Sequence, residues 1–232
     1  MEVKSWYPCD FQQALRNSID EADVDWFLNR PGRAPCFLYG ASMLPTVLKH
    51  HIGLGQSHNI HSTMTQATLF GYRLYKFAES NIPAIIKSSN PTSTVEGLLV
   101  FNLDQTQRRD LYEFESGLMN LTAVQVQILQ KTPSNTHNFR MVDAGTVTWT
   151  SRDNQGLSPL NASVWAVDGF LQSQLYQHIS NSQYRCDLAE PELAAKDFSY
   201  YPGDTKQQGD LDLMVRQYGS VHSIEADEPE WF

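Results

Sequence analysis

Residues 122–130, TAVQVQILQ, put Val124, Val126 and Ile128 on one side of an extended chain and Gln125 and Gln127 on the other. Side chains alternate across a strand with a period of two, so this pattern predicts one dry face and one wet face. Such a strand needs partners for its backbone and an apolar layer over its dry side. The rest of the chain supplies both. Short apolar runs at Cys36–Tyr39, Thr68–Phe77, Ile82–Lys87, Val95–Phe101 and Val142–Thr150 read as further strands, the last as the neighbour of 122–130.

Four helical stretches lie among them. Residues 10–29 have Asp10 as a cap and Ala14, Leu15, Val24 and Phe27 as anchors, and end at Pro31-Gly32. Leu44–His51 is closed by Gly53. Asp104-Gln105-Thr106-Gln107 has the spacing of a capping box and predicts about three helical turns, with Leu111 and Phe114 inward. Val164–Ile179 spaces Val167, Leu171, Leu175 and Ile179 four apart, as an amphipathic helix does. Strands in succession with a few helices between them predict an α+β fold, a small curled mixed sheet or β-barrel with flanking helices.

The expected organisation is an N-terminal helical extension over 1–33, a central domain over 34–182 and an acidic, largely irregular extension over 183–232. Residues 187–232 hold 11 of the 26 acidic and 3 of the 17 basic residues, so the tail carries −8 of a net −9. With no basic stripe to displace counterions, nucleic acid is not an expected partner. No run approaches the roughly 18 apolar residues of a membrane span. The first residues lack an apolar run after a basic start, and Cys9, Cys36 and Cys186 are few and scattered. A reducing cytoplasm is therefore the expected location, without a disulfide framework or a CxxC knuckle.

Candidate chemistry is sparse. His50, His51, His58 and His61 do not match a zinc motif, and adjacent helical histidines diverge by about 100°. Gly40-Ala41-Ser42 sits in a strand–turn–helix context, but Leu44 stands where a nucleophile elbow needs glycine. Cys36, in a strand, reads as a small buried hydrophobe. Arg73 is an isolated candidate for a substrate carboxylate and reads first as a surface or strand-edge residue. Glu113 and Glu115, two apart on a helix, cannot both face inward. On local grounds Glu115 is a solvated helix-end carboxylate.

Three motifs in order change that reading. Tyr39-Gly40-Ala41-Ser42-Met43 precedes a proline and a short helix. Phe70-Gly71-Tyr72-Arg73-Leu74-Tyr75 is followed by Pro83-Ala84-Ile85 and Val95-Glu96-Gly97-Leu98-Leu99. Then comes Leu111-Tyr112-Glu113-Phe114-Glu115-Ser116. Residues 37–128 thus resemble the gamma-glutamylcyclotransferase-like superfamily, with its YG[ST]LM-type loop, GYR-type strand and LDxFEG-type motif. The resemblance implies a cofactor-independent, metal-free reaction on a small-molecule γ-glutamyl amide. Glu115 would be the catalytic general base and acid, and the backbone of Tyr39, Gly40, Ala41, Ser42 and Met43 would hold the γ-glutamyl head. Tyr112 and Ser116 depart from the Asp and Gly of the third motif, and Ala41-Ser42 from the usual pair in the first. Two functional readings follow: a cyclotransferase releasing 5-oxoproline, or a repurposed or non-catalytic ligand-binding member of the same fold. The oligomeric state stays open.

Overall fold

The computed structural model describes residues 1–77, 82–115, 119–149 and 156–188, with the side chains of 114–115 and 184–188 outside that description. Two short helices come first, α1 (Cys9–Arg16) and α2 (Glu21–Leu28), then β1 (Cys36–Leu38) and α3 (Pro45–His51). β2 (Met64–Phe70), β3 (Tyr72–Phe77), β4 (Pro83–Lys87) and β5 (Thr94–Val100) follow, then α4 (Gln105–Glu115). The hairpin β6 (Asn120–Lys131) and β7 (His137–Thr148) precedes β8 (Leu157–Pro159), α5 (Asp168–Leu171) and α6 (Gln174–Leu188).

Five strands close into a barrel in the order β1-β5-β2-β6-β7, and the ring is completed by a parallel contact between Cys36 of β1 and Gly145 of β7. The α+β barrel expected from the sequence is the fold observed. β6 alternates as its sequence dictates: Val124, Val126 and Ile128 are buried, Gln125 is exposed and Gln127 half-buried. β5 is different. Val95, Leu98, Leu99 and Val100 are all fully buried, because the barrel interior lies on one side and covering segments on the other. Gly97 lets β5 approach β1; a Cβ there would run into the Leu38 carbonyl oxygen and the Phe37 ring. A second sheet, β4-β3-β8, stands beside the barrel and is tied to it where Trp149 N–H donates to the Ile85 carbonyl at 2.9 Å.

Four elements differ from expectation. The stretch 10–29 is two helices, because residues 17–20 leave the helix to reach the barrel. Lys131 N–H donates to the Ile19 carbonyl at 3.0 Å, and the Asn17 amide donates to the Ser62 and Met64 carbonyls at 2.9 and 2.8 Å. The expected strand 68–77 breaks at Gly71, whose φ of +75° turns the chain from the barrel into the second sheet. The expected helix 164–179 is also broken. Residues 164–167 precede a single turn, α5, whose Asp168 is held by Lys4 Nζ at 2.7 Å and Trp6 Nε1 at 2.9 Å. The chain restarts at α6, where Ser173 Oγ accepts from Tyr176 N–H at 3.1 Å. Leu175 is 41% exposed while Ile179 is buried, so the four-residue spacing does not mark one helix face. β7 also begins earlier than Val142, because Phe139 and Met141, apolar yet exposed, pair with β6 in the hairpin's distal half.

The flanking helices join the barrel's core. Phe11, Ala14, Leu15 and Val24 belong to the same hydrophobic cluster as Leu69, Leu98 and Val126. Asp10, expected to cap a helix, instead accepts from Thr46 Oγ1 at 3.0 Å and lies 3.8 Å from Lys49 Nζ, which joins α1 to α3. Residues 189–232, which hold most of the acidic extension, lie outside the described residues.

Candidate active site

The turn after β1 is built on Gly40. Tyr39 ends the strand in an extended conformation, and Gly40 adopts a φ of +74°. Residues Gly40–Met43 then wind into a 3-10 turn, closed where Leu44 N–H donates to the Ala41 carbonyl at 3.0 Å, and Pro45 starts α3. Gly40 is pressed against β4: a Cβ on it would stand 2.5 Å from Pro83 Cγ. The PAI segment thereby abuts the YG loop, two motifs far apart in sequence.

Side chains of this turn point largely inward. Ser42 and Met43 are buried, as is Tyr39, whose hydroxyl lies 2.9 Å from the Val147 carbonyl and 3.2 Å from Met119 Sδ. A hydroxyl carries one proton, and the carbonyl is the stronger acceptor, so Tyr39 donates to Val147 and fixes the turn on β7. Ser42 is no nucleophile elbow. The left-handed residue is Gly40, two positions earlier.

Opposite the turn lies α4. Its N-terminus is the reciprocal box read from the sequence: Gln107 N–H donates to Asp104 Oδ1 and Asp104 N–H to Gln107 Oε1, both at 2.9 Å. Leu111 is buried and Tyr112 half-buried, while Glu113 is exposed and lies 3.8 Å from Arg109 Nε. Glu113 thus faces outward. Glu115 is the last residue of α4; its side chain, that of Phe114 and the whole of Ser116 lie outside the described residues.

Between the turn and the helix is a cavity of about 50 Å³. Tyr39 and Ser42 bound it from the turn, Arg108, Leu111 and Tyr112 from α4, and Thr146 from β7. That is room for a small group of several heavy atoms, a single water needing about 10–15 Å³. A larger groove of about 350 Å³, lined by Asn17, Gln66, Glu96 and Phe139 among others, holds none of residues 39–43. Arg108 and Thr146 escaped the sequence reading. Arg108 precedes Leu111 and Tyr112 by three and four positions and so shares their side of the helix. Thr146 comes from β7 by long-range pairing, and no local pattern reports it.

The remaining candidates fall elsewhere. Cys36 lines the cavity, but burial pushes its thiol up to about 12, the Arg108 charge lowering it only in part, so it carries no thiolate at neutral pH. His50 and His51 pack edge to face, ring centres 5.5 Å apart, and both are held below the ordinary histidine range, chiefly by burial. Among the described residues no group of three His, Cys, Asp or Glu side chains is placed to hold a metal. Arg73 is exposed on β3, 3.4 Å from Asn161 Oδ1, at the surface as its isolation suggests. Nor is any described helix long and apolar enough to cross a membrane.

A closed five-stranded barrel with a glycine turn and a capped helix flanking a cavity defines an α+β barrel fold. The family is shown by its sequence model: residues 36–167 match the gamma-glutamyl cyclotransferase, AIG2-like family, and the chain belongs to it. No curated protein matches the chain. Among solved structures, it is similar to a protein of Arabidopsis thaliana solved in solution, at 14% identity and a TM-score of 0.44, over 69% of this chain and 95% of that one. A structure titled gamma-glutamyl cyclotransferase is 15% identical with a TM-score of 0.38, over 80% and 99% of the two chains. An AIG2-like protein from Mus musculus is 21% identical with a TM-score of 0.34, over 59% and 90%.

Proposed function

We propose that the chain is a cyclotransferase that converts a γ-glutamyl amide to 5-oxoproline and a free amine, with Glu115 moving the proton. The observation that carries this reading is the cavity bounded at once by Tyr39 and Ser42 of the turn and by α4, the helix that ends at Glu115. In the reaction the substrate's α-amine attacks its own γ-carbonyl carbon. A new C–N bond closes the five-membered ring, and the original amide C–N bond breaks. The Glu115 carboxylate takes a proton from the attacking amine and returns it to the leaving nitrogen. Nucleophile and electrophile share one short chain, so holding it in a ring-closing pose supplies much of the acceleration; such intramolecular reactions reach effective molarities of about 10⁵–10⁸ M.

The 39–43 backbone suits the other half of the chemistry. The first N–H groups of a 3-10 turn have no acceptor within that turn, and donors at that place stabilise a carboxylate or a developing oxyanion. Under this reading Tyr39, Gly40, Ala41, Ser42 and Met43 act through their main chain, which is compatible with buried side chains at 42 and 43. The test is incubation with a panel of γ-glutamyl amino acids and amides, with 5-oxoproline followed by mass spectrometry. Turnover of any member supports the proposal, and binding without turnover across the panel replaces it with a ligand-binding role.

A further inference from the structure

The outer edge of β7 is open. β7 pairs with β6 along all 12 of its residues, but with β1 only at Gly145. Gly145 N–H donates to the Pro35 carbonyl at 3.0 Å, away from β6. Backbone groups alternate in direction along a strand, so the N–H and C=O of His137, Phe139, Met141 and Asp143 point the same way as those of Gly145. Among the described residues no strand pairs with β7 over 137–144 on that side, and these groups line a free edge. Exposed edges are usually blunted by proline, lysine, a bulge or a covering segment. Residues 137–143, HNFRMVD, contain no proline or lysine, and their register with β6 is unbroken. The arginine of this edge, Arg140, is tied back to Asp25 of α2 at 2.7 Å. Phe139 and Met141 are 70% and 45% exposed on one face of the hairpin, where Leu129, opposite Phe139, is also exposed. Single exposed apolar side chains are ordinary, but three together beside an unpaired ladder mark an interaction site.

We propose that this edge is a homodimer interface, in which β7 of two copies pairs antiparallel about a two-fold axis through Arg140. The self-complementarity of the edge selects a second copy as the occupant. With the axis at Arg140, Phe139 lies opposite Met141 of the second copy and His137 opposite its Asp143, and symmetry makes each pair occur twice. All four residues direct their backbone groups outward, so all of these are hydrogen-bonded pairs of an antiparallel ladder. Aromatic–apolar pairs and pairs of opposite charge are the kinds that stabilise such a ladder. An axis at Met141 would set Phe139 against Asp143, and one at Phe139 would set His137 against Met141; neither is complementary. The axis stands perpendicular to the sheet, so each face continues across the join. Leu129 and Phe139 of one copy then form a row with Met141 and Gln127 of the other, an apolar stripe shared between them. On the opposite face Arg140 meets its symmetry mate, a repulsion that the two Asp25 carboxylates offset. A short edge is a small interface beside the roughly 1,200–2,000 Å² of stable complexes, so the association is concentration-dependent.

The pairing is independent of the cyclotransferase reading and is tested without substrate, by sedimentation velocity of the full chain over a range of concentrations. Wild type should pass from monomer to dimer as concentration rises. Met141→Pro removes a donor that faces the second copy and none that faces β6, so it should leave a monomer throughout. Phe139→Lys, at an exposed position, places a charge on the edge and should do the same. It carries the test alone if Met141→Pro fails to fold, as read by circular dichroism. The register has its own test. His137→Asp sets aspartate opposite aspartate twice and should raise the dimer Kd by about 2–30-fold. Adding Asp143→His restores histidine opposite aspartate and should return the Kd to that of wild type. A wild-type chain that stays monomeric at every concentration overturns the proposal and leaves the edge to an extended peptide of another protein. A dimer undiminished in Phe139→Lys, or a loss in His137→Asp that Asp143→His does not restore, overturns it as well.

Discussion

Gly40 and Pro83 touch so closely that no other residue fits at position 40: an added Cβ would stand 2.5 Å from Pro83 Cγ, on a backbone already at a φ of +74°. The turn that carries the proposed substrate donors is therefore held in shape by a different sheet from the one it leaves. Gly40→Ala should suffer twice, by about 1–2 kcal/mol for the left-handed backbone and by about 1–3 kcal/mol for overpacking. Urea denaturation reads the sum. Activity should fall further than stability does, because displaced donors miss the substrate by fractions of an ångström.

The Asp104–Gln107 box starts the helix that bears both Arg108 and Glu115. Asp104→Ala should destabilise the protein by about 0.5–2 kcal/mol. For a chain of this size that lowers Tm by roughly 1–8 °C. Differential scanning fluorimetry reads the shift, and Asp104→Ser, which keeps a capping oxygen, should recover most of it.

Acid should weaken the fold through α3. Burial, with a smaller push from His50, lowers His51 from the ordinary 6.5 to about 3, and burial lowers His50 in the same direction. As pH falls below 6.5 the unfolded chain takes up protons that the folded chain refuses. Stability is therefore fully present above that value and declines as pH drops towards 3, by at most about 1.4 kcal/mol per pH unit for each such group. Tm measured from pH 7 to 4 should fall, and His51→Gln should flatten the slope. A slope unchanged by that substitution would remove His51 as its source.

Legibility in the sequence followed the range of the interactions. The β6 alternation, the α4 capping box, the Gly53 helix stop and the order of the three motifs are local, and each appears in the structure where the residues place it. Breaks were legible only in part. Gly71 divides two sheets, but glycine within a strand also marks bulges and close approaches, so the break needed the coordinates. The split at residues 17–20 depends on Lys131, more than a hundred positions away. The same holds at the site. Tyr39–Met43 and the helix ending at Glu115 are motif positions, whereas Thr146 reaches the cavity only through barrel closure. Arg108 was hidden because an arginine on a helix normally reads as surface, and its burial is set by Gly32 and Leu103.

The most direct test concerns the two neighbouring acids of α4. The rate of 5-oxoproline release from a γ-glutamyl amino acid is measured in Glu115→Gln and Glu113→Gln, with circular dichroism as the check on folding. Loss of the proton shuttle predicts a fall of about 10²–10⁴-fold in Glu115→Gln, with wild-type turnover in Glu113→Gln, whose side chain is exposed beside Arg109. Undiminished turnover in folded Glu115→Gln would contradict the account.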